Sequence, residues 1–382
     1  MCVIAGANLF GQWLSGEPII DTFQTISVCE NNCNFNINDA KLHCANWSYN
    51  VFSNEDSFYL CGSWKGKDNQ VVKISLPQDE DCGSSVCDLL MAGNDYNLIL
   101  VNIRTYFMWI MNLEATNDIK KVNILIEAPI LKENIPKRMR TEDIIIKVVA
   151  TNSACLYLSA RGIIYSGLLP SHLDSSHCEG KVCDIQCGYE HFLLLTDTGK
   201  VYSWGNGRRL QLGHGNVENL DSPTEVEALS GIKITKISAG GWHNLALSEF
   251  GDVYAWGWND TGQLGVKAHP DIKKYGVLNK GEIKSYRIPI LVDVSDDDDK
   301  EIELNAIDIA CGSRHSAIML EDHSVWTTGF NKYGQLGFPP DTYKTVNYYK
   351  KSTESNNGYK LMCGPWCTFL INDNCTARIE IH

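Results

Sequence analysis

The sequence contains no run approaching the roughly 20 apolar residues that would cross a bilayer. Its start, Met1-Cys2-Val3-Ile4-Ala5-Gly6, lacks the basic opening and longer apolar core of a secretory signal. It has no Cys-x-x-Cys pair, although it has 15 cysteines. The nearest spacings, Cys29/Cys33, Cys183/Cys187 and Cys363/Cys367, are one residue too long for a zinc knuckle. An odd count also excludes a complete disulfide set within one chain. These absences point to an intracellular protein, nuclear and/or cytoplasmic, with reduced thiols used as small core residues. The sequons at Asn46 and Asn374 then carry no sugar. His177, Cys178, Cys183 and Cys187 form a loose cluster, but neither metal nor cofactor is expected.

Positive charge is scarce, with 33 Lys+Arg against 46 Asp+Glu and a net charge of −13. The longest basic cluster is only Lys137-Arg138-Met139-Arg140. Such a chain is a poor general binder of phosphate backbones. Its 44% hydrophobic and 21% charged residues mark a folded protein and not a disordered one.

What is present is a repeat. Gly188, Gly240 and Gly312 are each followed after three residues by His191, His243 and His315. A turn position follows (Gly199, Gly251, His323), then Trp204, Trp256 or Thr328, then Gln-Leu-Gly at Gln211, Gln263 and Gln335. The spacing is the same in all three copies. Weaker copies begin at Ala45, Gly93 and Ala150. Gly364 opens a seventh whose second half is missing at the C-terminus. Ala5 to Gln12 supplies that half, since it matches Trp256 to Gln263 in spacing. Each unit reads as short strands joined by tight turns such as Asp197-Thr198-Gly199. The expectation is an all-β fold, a seven-bladed β-propeller closed by N- and C-terminal strands in one composite blade. Residues 1–382 then form one ring, with an insertion at about 266–302.

The pattern G-x-x-H, hairpin glycine, Y-x-W-G and G-Q-L-G resembles the regulator of chromosome condensation family of propellers. The match is strong over 185–265 and 309–337 and degenerate before 180. The resemblance implies a non-enzymatic interaction platform in chromatin. By likeness to one small member it implies docking of a Jumonji-C oxygenase, in support of histone modification or chromosome segregation. Two alternatives come with it: nucleotide exchange on a small Ras-like GTPase, and direct reading of histones or nucleosomes. The founding member docks DNA with a basic N-terminal tail. This chain begins directly in a strand, so direct DNA binding is not expected, nor is a membrane partner.

Recurring residues are expected to be structural. His191, His243 and His315 sit once per repeat, whereas a catalytic triad is assembled once. Trp109, Trp204, Trp256 and Trp326 are expected in blade cores. Gly205 to Gly213 looks like a phosphate loop but lacks the Gly-Lys-Ser/Thr ending. Arg208 and Arg209 depart from the template there, so they are candidates for contact with an acidic partner. Trp242, Trp258, Asp260 and Arg314 lie in comparable loops and join them. The run Asp296-Asp297-Asp298-Asp299 in the insertion is a further candidate contact.

Overall fold

The computed structural model describes residues 2–26, 40–54, 57–75, 89–103, 107–116, 118–123, 144–266, 276–279, 282–295, 300 and 302–372. They form seven antiparallel sheets, numbered here as blades in chain order. Blade 1 is Lys41–Ala45, Tyr49–Asn54, Ser57–Trp64 and Lys67–Ile74; blade 2 is Leu89–Gly93, Asn97–Asn102, Phe107–Asn112 and Ile119–Asn123. Blade 3 is Ile145–Ala150, Cys155–Ser159, Ile164–Ser166 and Ser171–Leu173; blade 4 is Val182–Cys187, His191–Thr196, Val201–Gly205 and Leu220–Glu225. The degenerate repeats before residue 180 therefore have all four strands.

Blade 5 opens with Ile234–Ala239, His243–Ser248 and Val253–Trp258. Its fourth strand, Glu282–Leu291, lies inside the stretch read as an insertion, and Gly276–Asn279 adds a fifth at the edge. Blade 6 is Ala306–Cys311, His315–Leu320, Ser324–Phe330 and Thr345–Glu354. Blade 7 is composite: Tyr359–Gly364 and Cys367–Asn372 pair with Cys2–Ala7, which pairs with Ile19–Thr25. Its closing register sets Cys2 opposite Ile371 and Gly6 opposite Cys367.

The ring is held together between blades. One hydrophobic cluster fills each junction, for example Leu193, Ile237, Ala246 and Trp256 between blades 4 and 5. Leu245, Ile309, Ile318 and Trp326 pack between blades 5 and 6, and Trp13, Ile4, Phe52 and Phe369 join blades 7 and 1. A middle strand is thus covered on both faces, so polar alternation disappears. His243–Ser248 and His315–Leu320 are buried along their whole length. Trp109, Trp204, Trp256 and Trp326 are all buried in these layers.

The template glycines have two jobs. At the end of the third strand, Gly205, Gly257 and Gly329 have φ of 105°, 98° and 110°, and the pairing to the fourth strand shifts register there. A side chain would be strained in that conformation, so the bulge that sends the chain into the next loop needs glycine. Gly188, Gly240 and Gly312 have another role: a Cβ on any of them would collide with the histidine three residues on. It would also reach 2.6, 2.5 and 2.8 Å from the carbonyl oxygen of the equivalent glycine in the next blade.

Candidate interaction face

The first strands of all seven blades surround an axial pit of about 900 Å³. The loops between first and second strands form its mouth, and, with Gln12 from between the last two strands of blade 7, they are tied into a closed collar. Gln12 Nε2 donates to the Trp47 carbonyl (3.0 Å), Tyr49 Oη to Asn94 (2.8 Å) and Asn94 Nδ2 to Thr151 (2.9 Å). Ser153 Oγ donates to Tyr189 (3.0 Å), and the backbone N–H groups of Tyr189, Gly241 and Ser313 donate to Gly241, Ser313 and Pro365 (3.0, 3.2 and 2.9 Å). Each of the seven blade junctions is bridged at least once. A rim held this way presents its side chains in fixed positions, which lowers the ordering cost of binding.

Around this collar runs an arc of aromatic and arginine side chains. Tyr189 meets Trp242 edge-on, with ring centres 4.9 Å apart, and its hydroxyl lies 2.5 Å from Ser313 Oγ. The Arg209 guanidinium carbon lies 4.0 Å from the centre of the Trp242 ring and 5.0 Å from that of Trp258. Arg314 pairs with Asp260 and lies 5.5 Å from the Phe330 ring centre. Phe330 and Tyr333 pack on Trp366 at 5.7 and 5.6 Å, and Trp47 joins Tyr333, Trp366 and Phe10 at 5.5, 5.9 and 5.4 Å. Five blades contribute. Beyond the arc the same face exposes Tyr96, Leu168, Leu169 and Val217, with Leu169 at 66%.

Arg209, Trp242, Trp258, Asp260 and Arg314, expected as contact residues, are therefore brought to one face. Arg208 is exposed beside them. The run Asp296–Asp299 lies outside the described residues. The spacing pattern missed Phe10, Trp47, Tyr189, Phe330, Tyr333 and Trp366. A signal was available: most follow the anchor glycine or the third-strand bulge by one to four residues, positions that reach the same rim.

The loop that mimics a phosphate site has a structural explanation. Gln211 Oε1 accepts the Arg209 N–H (2.8 Å), and the equivalents Gln12, Gln263 and Gln335 accept from Phe10, Thr261 and Tyr333 (3.1, 3.0 and 2.9 Å). Its carbonyl is also taken, by Asn244 Nδ2 (2.7 Å) and Trp256 Nε1 (3.0 Å). Two of the template histidines close the same clasp from behind. His191 Nε2 lies 2.7 Å from Asn244 Oδ1, and His243 Nε2 lies 2.9 Å from Ser316 Oγ. Ser316 in turn donates to the Gln263 carbonyl (2.6 Å), and Thr368 to that of Gln335 (2.7 Å).

Burial lowers His191 and His315 to about 4. It lowers His243 to about 3, with the neighbouring His315 and His191 adding to the effect. All three are neutral and sealed at neutral pH, which suits a clasp and gives them no access to a substrate.

Among the described residues no three His, Cys, Asp or Glu side chains converge as a metal site. His177 instead contacts the Pro223 carbonyl at 2.6 Å. Cys44, Cys187, Cys311 and Cys363 line the axial pit. Burial pushes all four up, Cys44 and Cys311 to about 12, so they stay protonated. No helix among the described residues is long and apolar enough to cross a membrane.

Comparison with known proteins agrees with this architecture. A family model described as the regulator of chromosome condensation (RCC1) repeat matches residues 198–247 and 251–319. A second model of the same description matches 182–211, 234–263 and 306–335. Over 218 residues, half of the chain, the sequence is 35% identical to the RCC1 domain-containing protein 1 of Mus musculus. That match spans 56% of the relative's length. The fold is similar to human WBSCR16, with a TM-score of 0.71 at 14% identity over 97% of this chain and 99% of that one. It is also similar to Prp20p of Saccharomyces cerevisiae, with a TM-score of 0.70 at 14% identity over 98% and 92%. That structure is described together with binding of Prp20p to Gsp1p and histones.

Proposed function

We propose, from the premise that the chain belongs to the regulator of chromosome condensation repeat family, that it is a non-enzymatic platform which docks a protein on its collar face. The observation that carries this reading is the arc of Arg209, Trp242, Trp258, Phe330, Tyr333 and Trp366 fixed on a hydrogen-bonded rim. Aromatic and arginine side chains at rigid positions are the usual anchors of protein interfaces. The recurring histidines, which would be the natural acid–base groups, are buried and committed to blade joints. By resemblance, the partner is a Jumonji-C oxygenase working in chromatin, and the protein acts inside the cell, nuclear and/or cytoplasmic. The same resemblance supplies the alternatives, a small GTPase or histones, and Prp20p is described as binding Gsp1p and histones.

Two arms test the proposal. In the first, release of a fluorescent guanine nucleotide is followed from a panel of small GTPases. The platform reading expects the spontaneous rate, and acceleration at sub-stoichiometric protein would replace it with exchange. In the second, capture from nuclear extract compares Tyr96→Glu with Leu169→Glu on the collar face and Phe250→Glu on the opposite face, where Phe250 is 73% exposed. Loss with the first two and retention with the third is expected. The reverse pattern would move the docking site to the other face. Recovery of neither an oxygenase nor any chromatin protein would defeat the named partner.

A further inference from the structure

We propose that Arg208 and Arg209, held beside Trp242 and Trp258, form a docking point for an acidic protein segment that offers Asp or Glu side chains next to an apolar residue. The proposal rests on reading the collar face as a docking surface and adds the chemistry of what docks there.

Charge pairing sets these two arginines apart. In a chain with 46 acidic residues and a net charge of −13, surface cations find carboxylates readily. Arg314 pairs with Asp260, Lys147 with Asp184, Lys236 with Asp308, and Lys200 with Glu179 and Glu225. Arg208 and Arg209 have no carboxylate partner among the described residues. Two acids lie close, Glu190, which accepts from Asn206 Nδ2 at 3.0 Å, and the exposed Glu218, whose backbone packs against Gly207 on the same loop, but neither carboxylate pairs with these arginines. The pair is thus a local positive point on an acidic molecule, so its complement is negative although the surface as a whole favours basic partners.

Geometry adds to charge. The Arg209 backbone N–H is fixed by Gln211 Oε1 at 2.8 Å. Its guanidinium rests between two indoles, with ring centres 4.0 and 5.0 Å away. A guanidinium lying on aromatic faces keeps its N–H donors in its own plane, free to grip a carboxylate with two parallel bonds. Stacking also immobilises the side chain beforehand, so less entropy is lost on binding. Arg208 is exposed next to it, and Val217, exposed at 57%, lies on the same loop. One anchored fork, one mobile cation and one apolar neighbour suit a peptide that mixes acidic and apolar residues.

A nucleic acid strand fits less well. Its bases would need bare aromatic faces, whereas the indoles are already engaged by Arg209. Its many phosphates would meet a chain of charge −13 with only two unpaired arginines at this place.

The test uses the full chain and a fluorescein-labelled peptide of alternating glutamate and leucine, read by anisotropy. The double variant Arg208→Ala/Arg209→Ala is expected to bind about 10- to 100-fold more weakly, from the loss of charge-assisted hydrogen bonds. Arg209→Lys, which keeps the charge without the fork, should recover only part of the affinity. Lys181→Ala, on the opposite face, should leave binding unchanged. Melting temperatures near wild type would show that the ring is intact in each variant. Equal binding by wild type and the double variant would overturn the proposal. So would displacement of the peptide by a single-stranded oligodeoxynucleotide that binds more tightly. If the peptide fails to bind while the collar face still captures protein from extract, the acidic class falls and the platform reading stands.

Discussion

Three buried histidines should make the ring acid-labile in a window set by their own titration. His191, His243 and His315 are fully buried, with values near 4, 3 and 4. In the unfolded chain each returns to about 6.5. The folded value lies below the unfolded one, so as pH falls the unfolded chain takes up the proton first. The stabilisation is fully present above the unfolded value and is lost as pH drops from about 6.5 towards 4. With folded values near 4, each histidine removes about 2 kcal/mol between about pH 7 and pH 5, and the three together about 6 kcal/mol. That is comparable to the whole stability of many domains. Carboxylates change little in this interval, because most titrate below it.

Urea midpoints at several pH values measure the loss. The triple variant His191→Gln/His243→Gln/His315→Gln keeps a neutral amide near each Nε2 but cannot take up a proton. It should start less stable and then lose stability far less steeply than wild type from about pH 7 to pH 5, the remaining slope coming from His43, which burial lowers to about 4, and from His214, which burial also lowers. If it declines as steeply as wild type, the histidines are not the source and the account of the clasp is wrong.

Other substitutions probe separate parts of the argument. Gly312→Ala places a methyl against the His315 ring and 2.8 Å from the Gly364 carbonyl. It should cost about 1–3 kcal/mol and lower the melting temperature, whereas Gly358→Ala, where a Cβ meets nothing, strains only one left-handed residue and should cost about 1 kcal/mol. The Arg314–Asp260 pair is partly exposed, 30% and 23%. A double-mutant cycle should therefore return a coupling of only about 0.5–1 kcal/mol that shrinks with salt. Among the described cysteines, Cys183 is exposed while Cys61 and Cys311 are buried. Iodoacetamide followed by peptide mass spectrometry should label Cys183 first, and early labelling of Cys311 would show that the axial pit is open to reagent.

Much of the ring could be read in the residues, for a physical reason. The strong repeats keep glycine, histidine and glutamine where a bulge, a close approach or a clasp admits few alternatives. Ala5–Gln12 could be matched to Trp256–Gln263 because Gly6, Gly11 and Gln12 meet the same demands in the composite blade. Gly6 has φ of 137°, and Gln12 holds the Phe10 N–H. Blades 1 to 3 lack the template histidine: Tyr49 Oη reaches Asn94 from that place in blade 1, although Asn50 Nδ2 there still donates to the Gln12 carbonyl at 3.1 Å. Their repeats therefore faded although their strands did not.

The interaction face was only half visible. Arg208 and Arg209 stood out because they broke a template. Phe10, Trp47, Tyr333 and Trp366 meet from four distant loops, and their short offsets from the anchor or the bulge gain meaning only once the ring brings those loops together. The fourth strand of blade 5 was hidden for a related reason. Glu282–Leu291 follows a long excursion, and spacing from Gly240 no longer locates it.

Hydrogen–deuterium exchange on the chain alone and in complex with its captured partner tests the central claim most directly. The account predicts new protection in the collar and arc, at 94–96, 188–190, 206–213, 240–242, 312–314, 330–333 and 364–366. The hairpins of the opposite face, 197–199, 249–252 and 321–323, should exchange as before. Protection confined to those hairpins, with the collar unchanged, would contradict it.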